Sequence, residues 1–213
     1  PHKVEDALKK NRDARLVAFV HAETSTGALS DAKALVALAH KYDALAIVDA
    51  VTSLGGCPVL VDDWGVDAIY SASQKCLSCT PGLSPVSFSE RVVDYVKARK
   101  DKIHSWFMDM NLLLGYWNAT TRTYHHTAPT NSLFALHEAL LLIREEGLEN
   151  CWARHHRHHV ALKAVLERVE GRPGLVGPPV VGGQLAYRPT DVVRHVVEDR
   201  LTETGVVGRI GEQ

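Results

Sequence analysis

A lysine and an aspartate each close an apolar run of this chain. Lys75 ends the stretch 67–75, DAIYSASQK, and Asp49 ends the run 45–49, LAIVD. Burial disfavours the ammonium form of a lysine and makes its amine available as a nucleophile, so the small, apolar setting of Lys75 predicts a Schiff-base lysine. A lysine of this kind and a carboxylate for a pyridinium nitrogen are what pyridoxal phosphate requires of a protein. The pair therefore predicts a site for that cofactor.

Both residues also have a plainer interpretation. Lys75 could be a surface lysine whose stem lies along apolar side chains, and Asp49 could be a turn or cap residue. The occurrence of both at the ends of apolar runs favours the chemical interpretation.

Other groupings of reactive side chains are less informative. Cys76 and Cys79 form a Cys-x-x-Cys pair, but no second pair follows at zinc spacing. The histidines at 155, 156, 158 and 159 include one pair four apart, His155 and His159, which could bind metal on a helix, although a solvated helix face explains them better. The acidic pairs 62–63 and 145–146 are adjacent residues and so point to different faces, which excludes an acid–base couple. No metal site is expected.

The elements that must position Lys75 and Asp49 follow a β-loop-α-β order. Residues 16–20 and 45–49 are apolar runs of strand length, expected to be buried on both faces. Between them, Ser30 and Asp31 are expected to cap a helix. This order implies a right-handed crossover and a parallel sheet with functional loops at the strands' carboxyl ends, where Thr24, Asp49 and Lys75 fall.

Further helices and one more strand are expected along the chain. A strand is predicted over 84–88, and helices are predicted near 4–10, 89–100, 106–117, 131–146, 148–169 and 190–201, with a break at Gly147.

Composition excludes several classes of protein. The chain has 213 residues, 46% of them hydrophobic, with 24 basic against 25 acidic side chains. This balance offers no basic face for nucleic acid or an anionic membrane. No apolar run reaches the ~18 residues of a membrane span, and no signal pattern opens the sequence. A soluble intracellular protein in a reducing compartment is expected, and the first residue, Pro1, suggests a fragment or a processed chain.

Several motifs in order resemble class V aminotransferases of the alanine–glyoxylate (serine–pyruvate) type. They are HAETSTG at 21–27, VDAVTSLGG at 48–56, YSASQK at 70–75, YHHT at 124–127 and GLENCW at 147–152. The resemblance implies an α/β fold, that of the fold type I pyridoxal-phosphate-dependent transferases. It further implies a large domain with a mostly parallel sheet, incomplete here and covering 1–146. A shortened small α+β domain would cover 147–213, and the protein would be a homodimer with shared active sites.

The resemblance also implies roles for residues of the cofactor site. Lys75 would form the Schiff base with pyridoxal 5'-phosphate and later shuttle the substrate's proton. Asp49 would keep the pyridine nitrogen protonated, and Val51 would pack on the ring. Thr24 would lie near the phenolic oxygen and Gln74 near the phosphate.

Residues further along the chain would complete the site. Tyr124 and Thr127 would reach across the dimer to the phosphate of the neighbouring site. His125 and His126 could be acid–base groups, although positioning of the loop around Tyr124 and Thr127 is the favoured interpretation. Arg209 would grip the substrate carboxylate with its bidentate fork.

The chain departs from the family pattern at its two ends. No counterpart of the family's glycine-rich phosphate loop and ring-stacking aromatic lies ahead of Pro1. The span 169–209 is shorter than in the family, and the sequence ends soon after Arg209. A fragment with an incomplete site is the resulting expectation.

The implied activity is transfer of an amino group from L-alanine or L-serine to glyoxylate or pyruvate, as in glyoxylate detoxification. A cysteine desulfurase-like enzyme is the alternative, although that branch tends to carry histidine where Gln74 stands. A truncated, non-catalytic homologue is a third possibility. The resemblance points to a peroxisomal location, with cytoplasm or mitochondrion as alternatives.

Overall fold

A computed structural model describes residues 1–118, 120 and 123–169. The described helices are α1 (His2–Lys10), α2 (Ala32–Lys41), α3 (Val61–Trp64), α4 (Glu90–Ala98), α5 (Met110–Asn118), α6 (Thr130–Glu146) and α7 (Leu148–Val169). The strands are β1 (Leu16–Val20), β2 (Leu45–Asp49), β3 (Ala68–Tyr70) and β4 (Val86–Phe88). The helix expected near 190–201 lies outside the described residues.

The strands form one mostly parallel sheet in the order β1-β2-β3-β4. The first three strands run parallel, and β4 pairs antiparallel with β3. In this register Val20 lies opposite Asp49, and Asp49 lies opposite Tyr70. The prediction of a mostly parallel α/β sheet is therefore confirmed.

Helix α2 provides the main packing surface for the sheet. Asp31 caps it by accepting a hydrogen bond from the Ala34 N–H at 3.0 Å, as predicted. Its Val36 and Ala39 side chains are fully buried in one cluster with apolar residues of β2 such as Val48. Burial of this apolar stripe fixes α2 between the two strands that it connects.

Asp67 is a buried carboxylate at the start of β3. It accepts hydrogen bonds from the Ala46 N–H and from the His40 ring, both at 2.8 Å. The Arg91 guanidinium of α4 lies 3.6 Å from the same oxygen. Because a buried charge requires such partners, Asp67 links β2, α2 and α4 through polar contacts.

Some elements differ from the prediction. Strand β1 is only half-buried and Ala18 is exposed, because β1 is the outer strand of the described sheet and lacks a neighbour on one side. Helix α5 begins at Met110 rather than near Trp106. The short helix α3 was not predicted, since four residues are too few to show a helical period.

The break between α6 and α7 lies at Gly147, as predicted. This residue has φ of 85°, a conformation that glycine adopts without strain. Across the break, Arg154 donates to both carboxylate oxygens of Glu146 at 2.5 and 2.8 Å. The division into domains at this position stays a prediction.

No helix of the described residues is long and apolar enough to span a bilayer.

Candidate active site

The carboxyl ends of β1, β2 and β3 lie side by side at one edge of the sheet. The backbone N–H of His21 donates to Asp49 O, and that of Ala50 donates to Tyr70 O, both at 2.9 Å. These bonds continue the strand register one residue beyond the strands. The loops that carry Thr24, Val51 and Lys75 therefore leave from neighbouring points of the same edge, as predicted.

Asp49 lies half-buried at this edge with a fixed carboxylate. Its Oδ1 accepts a hydrogen bond from the Val51 N–H at 2.8 Å, and its Oδ2 accepts one from the Tyr70 hydroxyl at 2.7 Å. A carboxylate offers about four lone-pair positions, so each oxygen retains acceptor capacity for a ligand. The side chain is thus held in place while still able to receive an N–H.

Tyr70 has no role in the sequence-based prediction, although the structure places it in direct contact with Asp49. Burial, the hydrogen bond to Asp49 and the charge of Asp49 raise the pKa of Tyr70 to about 12. The phenol therefore stays protonated at neutral pH and acts as the donor. One signal could have predicted this contact: β2 and β3 end together, so Asp49 and Tyr70 are cross-strand neighbours.

The predicted burial of Lys75 is wrong: the residue is exposed. The hydroxyls of Ser71 and Ser73 are turned inward, donating to Ala50 O at 3.0 Å and to Thr80 O at 2.6 Å. These bonds hold the turn after β3 from within, and they leave Gln74 and Lys75 on its outer side. The small residues around Lys75 thus serve the packing of the turn, and the described residues do not desolvate its amine.

Thr24 is exposed at the tip of the loop after β1. The preceding Glu23 accepts hydrogen bonds from the N–H and the hydroxyl of Ser25 at 2.9 and 2.8 Å, and these bonds lower the pKa of Glu23. The Thr52 hydroxyl donates to Ala22 O and connects this loop to the one that follows β2. The Thr24 loop is therefore an ordered part of the sheet edge.

Tyr124 and Thr127 lie together in the connection between α5 and α6. Their hydroxyl oxygens are 2.9 Å apart, and the Tyr124 side chain is 75% exposed. His125, which lies between them in sequence, is buried, with its ring stacked on Trp106 at 4.1 Å and its Nε2 donating to Trp106 O at 3.2 Å. Both hydroxyl-bearing side chains are exposed and therefore accessible to a ligand or to another polypeptide.

Three cysteine thiols surround the turn after β2. Cys76 donates to Thr52 O at 3.5 Å, Cys57 to Ser53 O at 3.7 Å, and Cys151 to Gly55 O at 3.1 Å. Burial raises the pKa of all three thiols, that of Cys57 to about 11. Since the thiolate is the reactive form of cysteine, burial disfavours reaction at these three thiols.

The histidines of α7 are divided between two environments. His156 and His158 are exposed, as expected for a solvated face. His155 is half-buried and bonds Cys151 O through Nδ1 at 2.9 Å. His155, His159 and the exposed His156 line a groove of about 690 Å³ between α7 and the Thr24 loop. Within the described residues, no three potential ligands come together as a metal site.

The side chains at the sheet edge suit the ring of a pyridoxal-type cofactor. Asp49 offers a fixed carboxylate for a protonated ring nitrogen, and Lys75 offers an accessible amine on the loop of the neighbouring strand. Possible donors for a phosphate are Gln74, exposed on the turn after β3, and the Tyr124 and Thr127 hydroxyls in the connection between α5 and α6. Arg209 lies outside the described residues.

Comparison with known proteins gives consistent matches. The family model "Aminotransferase class-V" matches residues 1–211. Alanine–glyoxylate aminotransferase of Oryctolagus cuniculus is 38% identical over 203 residues, 91% of this chain and 52% of the relative. (S)-Ureidoglycine–glyoxylate transaminase of Bacillus subtilis is 40% identical over 182 residues, 77% of this chain and 43% of the relative.

A solved structure shares the fold. The alanine–glyoxylate aminotransferase of Nostoc sp. superposes with a TM-score of 0.74 at 41% identity, covering 96% of this chain and 54% of that protein. The chain thus spans about half the length of these relatives. Its α/β architecture is that of the fold type I transferases, as the motifs implied. From the match over nearly all of its length, the chain belongs to the class-V aminotransferase family.

Proposed function

We propose that the protein is a pyridoxal-phosphate-dependent aminotransferase that moves an amino group from L-alanine or L-serine to glyoxylate or pyruvate. The observation that carries the proposal is the fixed Asp49 carboxylate at the strand edge from which the Lys75 turn also leaves. The names of the relatives from Oryctolagus cuniculus and Bacillus subtilis both include glyoxylate, which supports this substrate as the amino acceptor.

When bound, the cofactor accepts the electron pair that the substrate's α carbon keeps when it loses its proton. Lys75 would hold the cofactor through its amine and would move the proton at the substrate's α carbon. Asp49 would hold the ring nitrogen by accepting its N–H, and Val51 would hold the ring by packing. Thr24 and Gln74 would bind the cofactor through its phenolic oxygen and its phosphate, respectively.

The active site is proposed to be shared between two copies of the chain. Tyr124 and Thr127 are exposed and their hydroxyls bond each other, while His125 and Trp106 hold their connection in place. This arrangement suits two hydroxyls presented to the phosphate of a neighbouring subunit. Arg209 is proposed to bind the substrate carboxylate, and residues 147–213 to belong to a small second domain. A peroxisomal location is proposed by family resemblance alone.

Gln74 favours the transaminase over a cysteine desulfurase-like enzyme. It stands where the desulfurase-like branch tends to carry a histidine that stacks on the cofactor. A long amide can bond a phosphate but offers no aromatic ring for stacking.

Replacing Lys75 tests the assignment. In the full-length protein, Lys75→Ala is expected to abolish transamination between alanine and glyoxylate and to leave the folded state intact, because only the reacting amine is lost. Treatment with borohydride after cofactor addition should leave a covalent adduct on Lys75 of the wild type, detected by peptide mass spectrometry.

The matched control is Lys33→Ala, which removes another exposed lysine, on α2. This variant should retain both the adduct and the activity. Near-normal turnover of Lys75→Ala, or an adduct on a different lysine, would refute the proposed function.

A further inference from the structure

Tyr70 holds the segment that carries Asp49 at two points. Its carbonyl accepts the N–H of Ala50 at 2.9 Å, and its hydroxyl donates to Asp49 Oδ2 at 2.7 Å. On its other side, Tyr70 pairs with Val86 of the antiparallel strand β4. The tyrosine backbone is thus fixed between two strands, and its side chain spans to the neighbouring carboxylate.

The direction of the side-chain bond is set by the chemistry of the two groups. A phenol with its pKa raised to about 12 stays protonated, so its O–H is the donor and the carboxylate is the acceptor. Hydrogen bonds between a hydroxyl and a charged oxygen are among the stronger ones in proteins. Among the described residues, Val51 N–H donates to Oδ1 and Tyr70 to Oδ2, so both oxygens are held in one orientation.

The two restraints differ in kind. The Val51 N–H bond is a local turn contact, two residues along the chain from Asp49. By itself it only partly restricts rotation of the carboxyl group about the last side-chain torsion of Asp49. The Tyr70 bond comes from another strand and restrains the second oxygen. Together they fix the plane of the carboxylate.

We propose that Tyr70 is a positioning residue for the cofactor's ring nitrogen, because its hydroxyl orients the Asp49 carboxylate that receives the ring N–H. This inference rests on the proposed function. Tyr70 acts through Asp49 and need not touch the cofactor. Its removal should therefore weaken recognition of the ring nitrogen specifically.

The test compares two ligands that form no covalent bond with Lys75. One is pyridoxamine 5'-phosphate, and the other is its carbocyclic analogue, in which CH replaces the ring nitrogen. In the full-length protein, calorimetric titration of Tyr70→Phe should show affinity for pyridoxamine 5'-phosphate weakened by about 5- to 30-fold, the loss expected for one hydrogen bond to a charged group. Affinity for the carbocyclic analogue should change by less than about twofold, since that ligand makes no bond to Asp49.

Tyr42→Phe is the matched control. It removes another tyrosine hydroxyl bonded to a carboxylate, Glu5 Oε1 at 3.3 Å, far along the chain from the site. This variant should bind both ligands as the wild type does. Urea unfolding of both variants reports any general loss of stability.

Each outcome decides the matter. Equal weakening of both ligands by Tyr70→Phe would show a merely structural role and overturn the inference, as would unchanged binding of both. If the wild type bound neither ligand, or did not distinguish them, the assignment of Asp49 to the ring nitrogen would fail, and the proposed function and this inference would fail with it.

Discussion

The Asp49 carboxylate at the sheet edge is held by one donor on each of its oxygens. An asparagine has nearly the same shape but carries no charge, and it presents an NH₂ group in place of one acceptor oxygen. A fixed negative charge in a preorganised site stabilises a nearby developing or permanent positive charge strongly. Replacing Asp49 by asparagine therefore tests the contribution of the negative charge, with little change in side-chain size.

Asp49→Asn is expected to slow abstraction of the α proton of alanine by about 10²-fold or more, because the ring nitrogen is no longer held protonated. Single-turnover kinetics with α-deuterated alanine measure that step directly. Asp43→Asn removes an exposed carboxylate paired with Arg91 and provides the control. Unchanged turnover of Asp49→Asn would reduce Asp49 to a structural residue.

At the scale of single residues, the sequence predicts where a residue lies along the strands better than it predicts whether its side chain is buried. Asp49 and Lys75 were predicted at strand ends because an apolar run that stops at a charged residue marks the sheet edge. The exposure of Lys75 was not predictable, since it depends on which way Ser71 and Ser73 turn to bond Ala50 O and Thr80 O. Tyr70 was missed because its role comes from the pairing of two strands distant in sequence.

At the scale of elements, helix α7 packs closely on the turn after β2. A methyl group built on Gly56 would lie 2.6 Å from Cys76 Sγ and 3.6 Å from the His155 ring. The Cys151 thiol of α7 donates to Gly55 O in the same contact. Gly56 thus permits the close approach of this turn to Cys76, while the 3.6 Å distance to His155 of α7 is an ordinary contact.

Gly56→Ala is expected to destabilise the protein by about 1–3 kcal/mol, the usual range for overpacking. Urea unfolding followed by circular dichroism measures this change. Cys76→Ala removes the clashing sulfur. In the Cys76→Ala background, Gly56→Ala should therefore lower the free energy of unfolding by at most half as much as it does in the wild type. Full additivity of the two single changes would mean that the contact between Gly56 and Cys76 does not limit the packing.

Elements differ in how far they could be predicted. Helix α2 and the break at Gly147 were predicted because caps and glycines are local signals. The antiparallel direction of β4 and the exposure of Ala18 depend on which strands become neighbours. Pairing of this kind is a property of the assembled sheet and leaves no trace in a short run of residues.

At the scale of the whole molecule, large apolar side chains of α6 and α7 are exposed. Phe134 on α6 is 75% exposed, and Leu162 on α7 is 58% exposed. Trp106, ahead of α5, is 58% exposed as well. Large apolar side chains exposed on several elements suit faces that another polypeptide covers. Because the chain spans about half the length of its relatives, such cover cannot be predicted from this sequence.

The 213-residue polypeptide expressed by itself is expected to bind pyridoxal phosphate weakly and to be nearly inactive. A phosphate needs several convergent donors, commonly the N–H groups of a glycine-rich loop at a helix start, and Gly27 is the only glycine ahead of Asp49. Two missing charge-assisted hydrogen bonds at about 1.5–3 kcal/mol each correspond to a loss of roughly two to four powers of ten in affinity. The exposed apolar faces should also make this polypeptide aggregate.

Isothermal titration of this polypeptide with pyridoxal phosphate measures the affinity, and light scattering measures the aggregation. The Lys75→Ala form of the same polypeptide is the control, because it separates binding of the ring and phosphate from reaction with the amine. Tyr124 and Thr127 are proposed to serve the phosphate of a neighbouring subunit, so the expected weakness rests on the scarcity of glycine ahead of Asp49, where Gly27 stands alone. A sub-micromolar dissociation constant together with full transaminase activity would show that this chain already holds a complete phosphate site.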